Sequence, residues 1–213
     1  MLDFRFCIET ANKPIEHVYF IESGLAATGG TVARGRRVQL GIVGREGMTG
    51  VPVILGGNQS PYDCYMHIKG TGFRISSRDL TEAVAACPSL GAKLLNFAQT
   101  FLTQMAATAQ ANGQATLERR LARGLLMLHD RADEDVLPVT HEFLALLVGA
   151  QRPATTIALH KLEGEGMIQS NRGLVRVSDR DMLSAFTNGF YGNAEKEYAR
   201  LIGLPLSKQS IGP

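Results

Sequence analysis

Cysteine is scarce and scattered in this chain of 213 residues: Cys7, Cys64 and Cys87 are an odd number, with no C-x-x-C pair among them. That spacing argues against a disulfide framework and a thiolate metal site, and suits free thiols in a reducing compartment. Charge of one sign is equally short, because 22 Lys and Arg against 20 Asp and Glu leave a net charge of +2. So small an excess permits a polyanionic partner without demanding one. No stretch approaches the apolar length that crosses a bilayer, and the opening residues, which include Asp3 and Arg5, lead into no apolar run of the secretory kind. A cytoplasmic protein without a membrane partner is expected. Enzyme signatures are missing as well. There is no Gly-x-Ser-x-Gly elbow and no Walker loop, and His141-Glu142 begins an H-E-x-x-H pattern that Ala145 breaks. No catalytic residue, metal or resident cofactor is expected.

What is present reads as a globular protein. Hydrophobic residues at 45% and charged residues at 20% are enough to build a core, and the length suits two small domains. From Phe4 to Ile75, short apolar and β-branched runs alternate with glycine-bearing breaks, the pattern of a compact antiparallel sheet. Residues 17–21, 36–43 and 62–68 are the clearest strands. At Ser76 the texture changes. Ser76 with Asp79 three residues on predicts a capped helix over Leu80, Val84 and Cys87, which Pro88 ends. Beyond it Leu90, Leu94, Phe97, Phe101, Met105 and Thr108 recur at steps of three and four along a long helix. A stripe so wide, further broadened by Leu95, Ala98, Leu102 and Ala106, needs two surfaces to pack on. These six residues are therefore expected to line a homodimer interface, with a hinge at residues 112–116.

The informative segment follows an acidic loop at residues 133–135. Thr140 can cap a helix that buries Phe143, Leu144 and Leu147, and Gly149 stops it. Pro153 is tolerated only in a first turn, so a second helix has to begin within a residue or two of Gln151. Two short helices across so brief a turn have the dimensions of a helix-turn-helix. Ile157 and Leu162 are expected to face inward, leaving Arg152, Thr155, Thr156 and His160 for solvent or a groove. Residues 163–166 close the helix with glycines, and residues 167–177 predict a hairpin carrying Arg172 and Arg176. Helix-turn-helix plus hairpin makes a winged helix. Between Val136 and Arg180 five basic residues face four acidic ones, so any affinity for DNA has to come from placement on one face.

At this point the chain resembles the CRP/FNR family of bacterial transcription factors over nearly its whole length. The resemblance rests on residues 139–179, on the strand and turn at residues 18–24, and on the Gly44-Arg-Glu-Gly-Met-Thr-Gly50 string, in that order with a long helix between. It implies an α+β protein with a double-stranded β-helix (jelly-roll) sensor over residues 1–87, a dimerisation helix and hinge over 88–114, a winged helix-turn-helix over 115–190, and a flexible tail over 191–213. It also implies a homodimer on a two-fold symmetric stretch of double-stranded DNA, with RNA polymerase as a further partner. Carried over by position, Gln151, Arg152, Thr155 and Thr156 would read bases, while Thr140, His141, His160, Arg172 and Arg176 would meet phosphates.

The departures are informative too. Pro153 and Ile157 stand where the family's best-known pattern has a glutamate and a second arginine. The loop with Gly44, Glu46, Gly47 and Gly50 is a weak effector candidate, because the ribose-binding glutamate and the phosphate-binding arginine of cyclic-nucleotide sensors are missing near Val51 and Pro61. Three scattered cysteines cannot hold an iron-sulfur cluster. The chain is expected to begin inside the family pattern, with a degenerate sensor. The competing reading is a ligand-binding signalling module whose C-terminal domain contacts protein in place of DNA.

Overall fold

The computed structural model describes residues 1–32 and 36–206. Strands β1 (Cys7–Glu9), β2 (His17–Ile21), β3 (Leu25–Val32), β4 (Arg36–Val43), β5 (Asp63–Ile68) and β6 (Gly72–Ser76) build the N-terminal half, with a single turn of helix, α1 (Val51–Ile54), between β4 and β5. All of their pairings are antiparallel. One sheet has the order β1-β5-β3-β4 and the other is the pair β2-β6. The sheets enclose one cluster in which Val18, Tyr19 and Ile21 meet Ala26, Val43, Cys64 and Met66. β2 buries Val18, Tyr19 and Ile21, with Phe20 partly buried against the same cluster.

Ser76 accepts a hydrogen bond from the Asp79 amide at 3.0 Å and so starts α2 (Ser77–Ala86) where the sequence places the cap. Pro88 opens α3 (Pro88–Gln114), a helix of 27 residues that runs straight through Asn112-Gly113. Its break comes at Ala115, and Thr116 then caps α4 (Leu117–His129). The remaining elements are β7 (Val136–Leu137), α5 (His141–Leu147), α6 (Arg152–Gly164), β8 (Ile168–Asn171), β9 (Leu174–Val177), α7 (Arg180–Phe186) and α8 (Asn193–Ile202). Strands β7, β9 and β8 form an antiparallel three-stranded sheet, so the expected hairpin gains a third strand from the acidic-loop side.

Two expectations need correction. The apolar stripe of α3 is taken up within the chain: Leu94, Phe97 and Phe101 are buried against the β2-containing cluster, with Leu90 and Met105 packed beside them. Thr108 spends its hydroxyl on the Gln104 carbonyl and accepts from Arg123. The outward face is a different line, in which Leu95 and Leu102 stay half exposed, at 50% and 48%, with Gln99, Ala106 and Ala109 between and beyond them. The C-terminal stretch is corrected also. In place of a flexible tail from residue 191, α8 packs along α3, burying Ala194 and Tyr198. Lys93 and Asn96 donate to the Ile202 and Leu201 carbonyls at 3.2 and 3.1 Å. Residues 207–213 of the expected tail lie outside the described residues.

Candidate nucleic-acid interface

The helix pair forms for the local reasons the sequence gives. Thr140 accepts from the Phe143 amide at 3.1 Å, and Gly149 takes the left-handed conformation (φ 63°) that ends the turn after α5. Pro153 lies in the first turn of α6, and Gln151 is its N-cap residue with no side-chain cap bond. Gln151 and Arg152 are both exposed. They meet the requirement for a reading head: polar groups at a helix N-terminus with their hydrogen-bonding capacity uncommitted.

The inward face of α6 differs from expectation. Thr155, Ala158, Leu159 and Leu162 are its buried positions, and Ile157 is 72% exposed. Thr155 has no exposed surface, and its hydroxyl donates to the Gln151 carbonyl at 3.1 Å, so it cannot reach a base. The helical period decides this, since 155, 158, 159 and 162 share one face and 157 lies off it. Ile157 thus presents an alkyl group where polarity alone placed a threonine.

His141 ties three elements of this region together. Its Nδ1 lies 3.0 Å from the Thr156 hydroxyl and its Nε2 lies 3.3 Å from that of Ser170, so one ring joins α5, α6 and β8. Burial, and then the charges of Arg152 and His160, lower its pKa and favour the neutral ring. A neutral ring has one N–H, and the two hydroxyls supply the complementary roles. Both His141 and Thr156, read as a phosphate and a base contact, are half-buried and committed to this bridge, while Ser170 is a member that sequence reasoning missed. The remaining candidates are exposed: His160, which lies 3.5 Å from Glu163, and Arg172 and Arg176 on the hairpin. Thr140 is exposed with its oxygen used in the cap.

Behind this surface the domain is anchored by polar groups. Asp130, fully buried, accepts from Arg180 at 2.6 Å and from Tyr191 at 2.9 Å, which removes Arg180 from the cations available outside. Arg131 continues from the end of α4 to a buried ion pair with Glu46, at 2.7 Å.

That ion pair settles the glycine loop. Glu46 also accepts from the Gly44 amide at 2.9 Å, and the Gly50 amide donates to Glu9 at 2.7 Å. A Cβ on Gly47 would sit 2.0 Å from the Phe97 ring. The loop is filled by its own chain, its glycines admitting Phe97 and Val18 in place of an anion, so the effector reading of Gly44, Glu46, Gly47 and Gly50 gives way to a packing role. Among the described residues no cluster of His, Cys, Asp and Glu suits a metal ion, and no helix is long and apolar enough to cross a membrane.

Comparison with known proteins agrees with this anatomy. The Crp-like helix-turn-helix domain family matches residues 119–186. By fold, the chain resembles proteins of the CRP/FNR type. FixK2 from Bradyrhizobium japonicum superposes with a TM-score of 0.76 at 18% identity, covering 86% of this chain and 93% of that one. A CRP-family transcriptional regulator from Thermus thermophilus aligns over 97% of both chains with a TM-score of 0.67 and 19% identity. A second Thermus thermophilus regulator, of the CRP/FNR family, gives 0.65 at 22% identity over 89% of this chain and 98% of its own. No curated protein matches the sequence. Together these make the strand-rich half a CRP-type jelly roll, joined by a long helix to the Crp-like helix-turn-helix.

Proposed function

We propose that this CRP/FNR-type protein is a transcription regulator that binds a two-fold symmetric DNA site as a homodimer, with α6 in the major groove. The observation that carries the reading is the exposed Gln151-Arg152 pair at the start of α6, where Pro153 fixes the helix origin and no side-chain bond holds the glutamine. An arginine in that place can donate both of its terminal N–H groups to the N7 and O6 acceptors of a guanine. Arg172 and Arg176 on the hairpin supply phosphate contacts, which add affinity without sequence information. The exposed Ile157 suits the methyl group of a thymine.

Dimerisation is assigned to the outward line of α3, Leu95, Gln99, Leu102, Ala106 and Ala109, whose steps of four and three are those of a coiled-coil seam. On this reading residues 1–87 are the sensor, 88–114 the dimerisation helix and hinge, and 115–190 the reader, with RNA polymerase as the further partner.

The experiment is selection of bound duplexes from random DNA by the purified full chain, followed by titration of the winner and of a scrambled duplex. Arg152→Ala is expected to lose about 1–3 kcal/mol on the selected site and little on the scrambled one, whereas Arg172→Ala weakens both alike and lowers the salt slope by about one. Equal losses on both duplexes for Arg152→Ala would overturn its base-reading role. Failure to select any duplex at low ionic strength would overturn the regulator reading.

A further inference from the structure

Of the buried side-chain nitrogen and oxygen atoms among the described residues, one alone lacks a hydrogen-bond partner: the Nε of Arg120. Native chains rarely leave such a donor empty, and where they do a water or an ion commonly fills the place. Arg120 stands near the start of α4 and lines a small pocket where β4, α3 and α4 meet. Gln104 of α3 fixes that corner. Its side-chain amide accepts from the Ile42 N–H at 2.8 Å and donates to the Ile42 carbonyl at 3.1 Å, while its backbone carbonyl accepts from Arg123 of α4.

A second guanidinium lines the same pocket. Arg123 is 5% exposed, and it donates to the Thr108 hydroxyl at 3.1 Å and to the Gln104 carbonyl at 3.4 Å, both of them neutral acceptors. Among the described residues neither arginine has a carboxylate within ion-pair distance. Glu195, the acid whose charge reaches Arg123, is engaged by the Gly192 amide at 2.9 Å. Burial depresses the Arg123 pKa; Glu195 opposes that shift and the charge of Arg131 adds to it. No acid lines the pocket, and its other walls include the apolar Ile42, Met127 and Leu147. A buried charge is tolerated when it is paired, and here the chain itself supplies two cations and no partner for them.

The size of the pocket selects among anions. It measures about 10 Å³, room for one water-sized particle, which excludes phosphate, sulfate and organic acids. A monatomic halide fits where they do not, and it accepts N–H groups from any direction. We propose that a chloride ion occupies this pocket as a constituent of the fold, accepting from the Nε of Arg120 and the guanidinium of Arg123 and so joining β4, α3 and α4 at their common corner. The ion neutralises one of two like charges and gives the empty Nε its acceptor. The unfolded chain has no such site, so chloride bound to the native form alone draws the equilibrium toward folding. The inference stands whether or not the chain binds DNA.

The test is urea unfolding of the full chain in mixtures of potassium chloride and potassium gluconate at fixed ionic strength, gluconate being too large to enter. Raising chloride from about 1 to about 100 mM is expected to lower the unfolding equilibrium constant at least about tenfold, for a dissociation constant of about 10 mM or tighter. Arg120→Met keeps an unbranched apolar stem and removes the donor, so its unfolding should be indifferent to the exchange of anions. Wild-type unfolding that ignores the exchange, or a chloride response of equal size in Arg120→Met, overturns the proposal. Crystals of the wild type grown in bromide give a reading that no variant has to survive. An anomalous scatterer against the Arg120 Nε supports the site, and a water there without anomalous signal overturns it.

Discussion

Arg131 and Glu46, 85 residues apart in sequence, form a buried ion pair at 2.7 Å that ties the end of α4 to the glycine loop of the jelly roll. Arg131 also donates to the Met127 carbonyl at 2.7 Å, and Tyr198 of α8 donates to the Glu46 carbonyl at 3.0 Å. Three segments remote from one another in sequence thus converge on one acidic residue. Each of its oxygens has a partner, the condition under which a buried charge is tolerated.

Removing one partner leaves the other buried and alone. Glu46→Gln or Arg131→Met is expected to cost about 3–5 kcal/mol in urea unfolding, while the double replacement Glu46→Leu with Arg131→Leu should recover much of that loss. A double variant as unstable as the sum of the two single ones would show that the pair's charges were not coupled.

The two faces of α3 should respond differently to a charge. Leu102→Glu places carboxylates opposite one another in the proposed seam, raising the dimer dissociation constant by about two orders of magnitude with the fold retained. Sedimentation velocity would see a folded monomer. Phe101→Glu, by contrast, should abolish folding, because that ring is buried within its own chain. A Leu102→Glu chain that still sediments as a dimer moves the interface elsewhere.

His67 of β5 stacks on Phe143 of α5 with ring centroids 4.4 Å apart, and acid should loosen this contact. The folded pKa of His67 falls from 6.5 to about 4, so the unfolded chain binds the proton more readily. Its contribution is fully present above pH 6.5 and is lost as the pH drops from about 6.5 to 4, at most about 3 kcal/mol. His67→Phe preserves the stack on Phe143 and removes the titration. The check is the difference between wild type and His67→Phe in urea unfolding at pH 7 and pH 4.5: stability of the wild type should fall further on acidification.

Gly47 and Phe97 give a steric test free of charge. A methyl group on Gly47 collides with the buried Phe97 ring, so Gly47→Ala should destabilise by about 1–3 kcal/mol. In a Phe97→Leu background the same change should cost markedly less. Thermal melts of the four proteins of the cycle measure the coupling.

Much of this anatomy was legible in the sequence wherever the cause is local. Ser76 with Asp79 and Thr140 with Phe143 are caps written within three residues, and Pro153 fixes the start of α6 unaided. Errors arose where a choice of face or partner decides. Polarity alone puts Thr155 outside and Ile157 inside, although stepping back from Leu162 by three and four residues puts 159, 158 and 155 on the buried side. The stripe of α3 was visible as apolar, but which of its two lines meets the sheet depends on Gly41 and Gly47, whose missing side chains admit Phe101 and Phe97. Tyr198 and Glu46 are 152 residues apart, and no local pattern announces such a contact.

The position of α8 has a bearing on how the molecule is made. Synthesis runs from the N-terminus, so the jelly roll and α3 leave the ribosome while the segment that will cover Leu94 and Phe97 is still unborn. A nascent or prematurely terminated chain ending before Asn193 leaves uncovered the side of that strip on which Tyr198, Ile202 and Leu206 pack. Such products would be prone to stick to one another and to chaperones, giving the cell a means of separating finished molecules from incomplete ones.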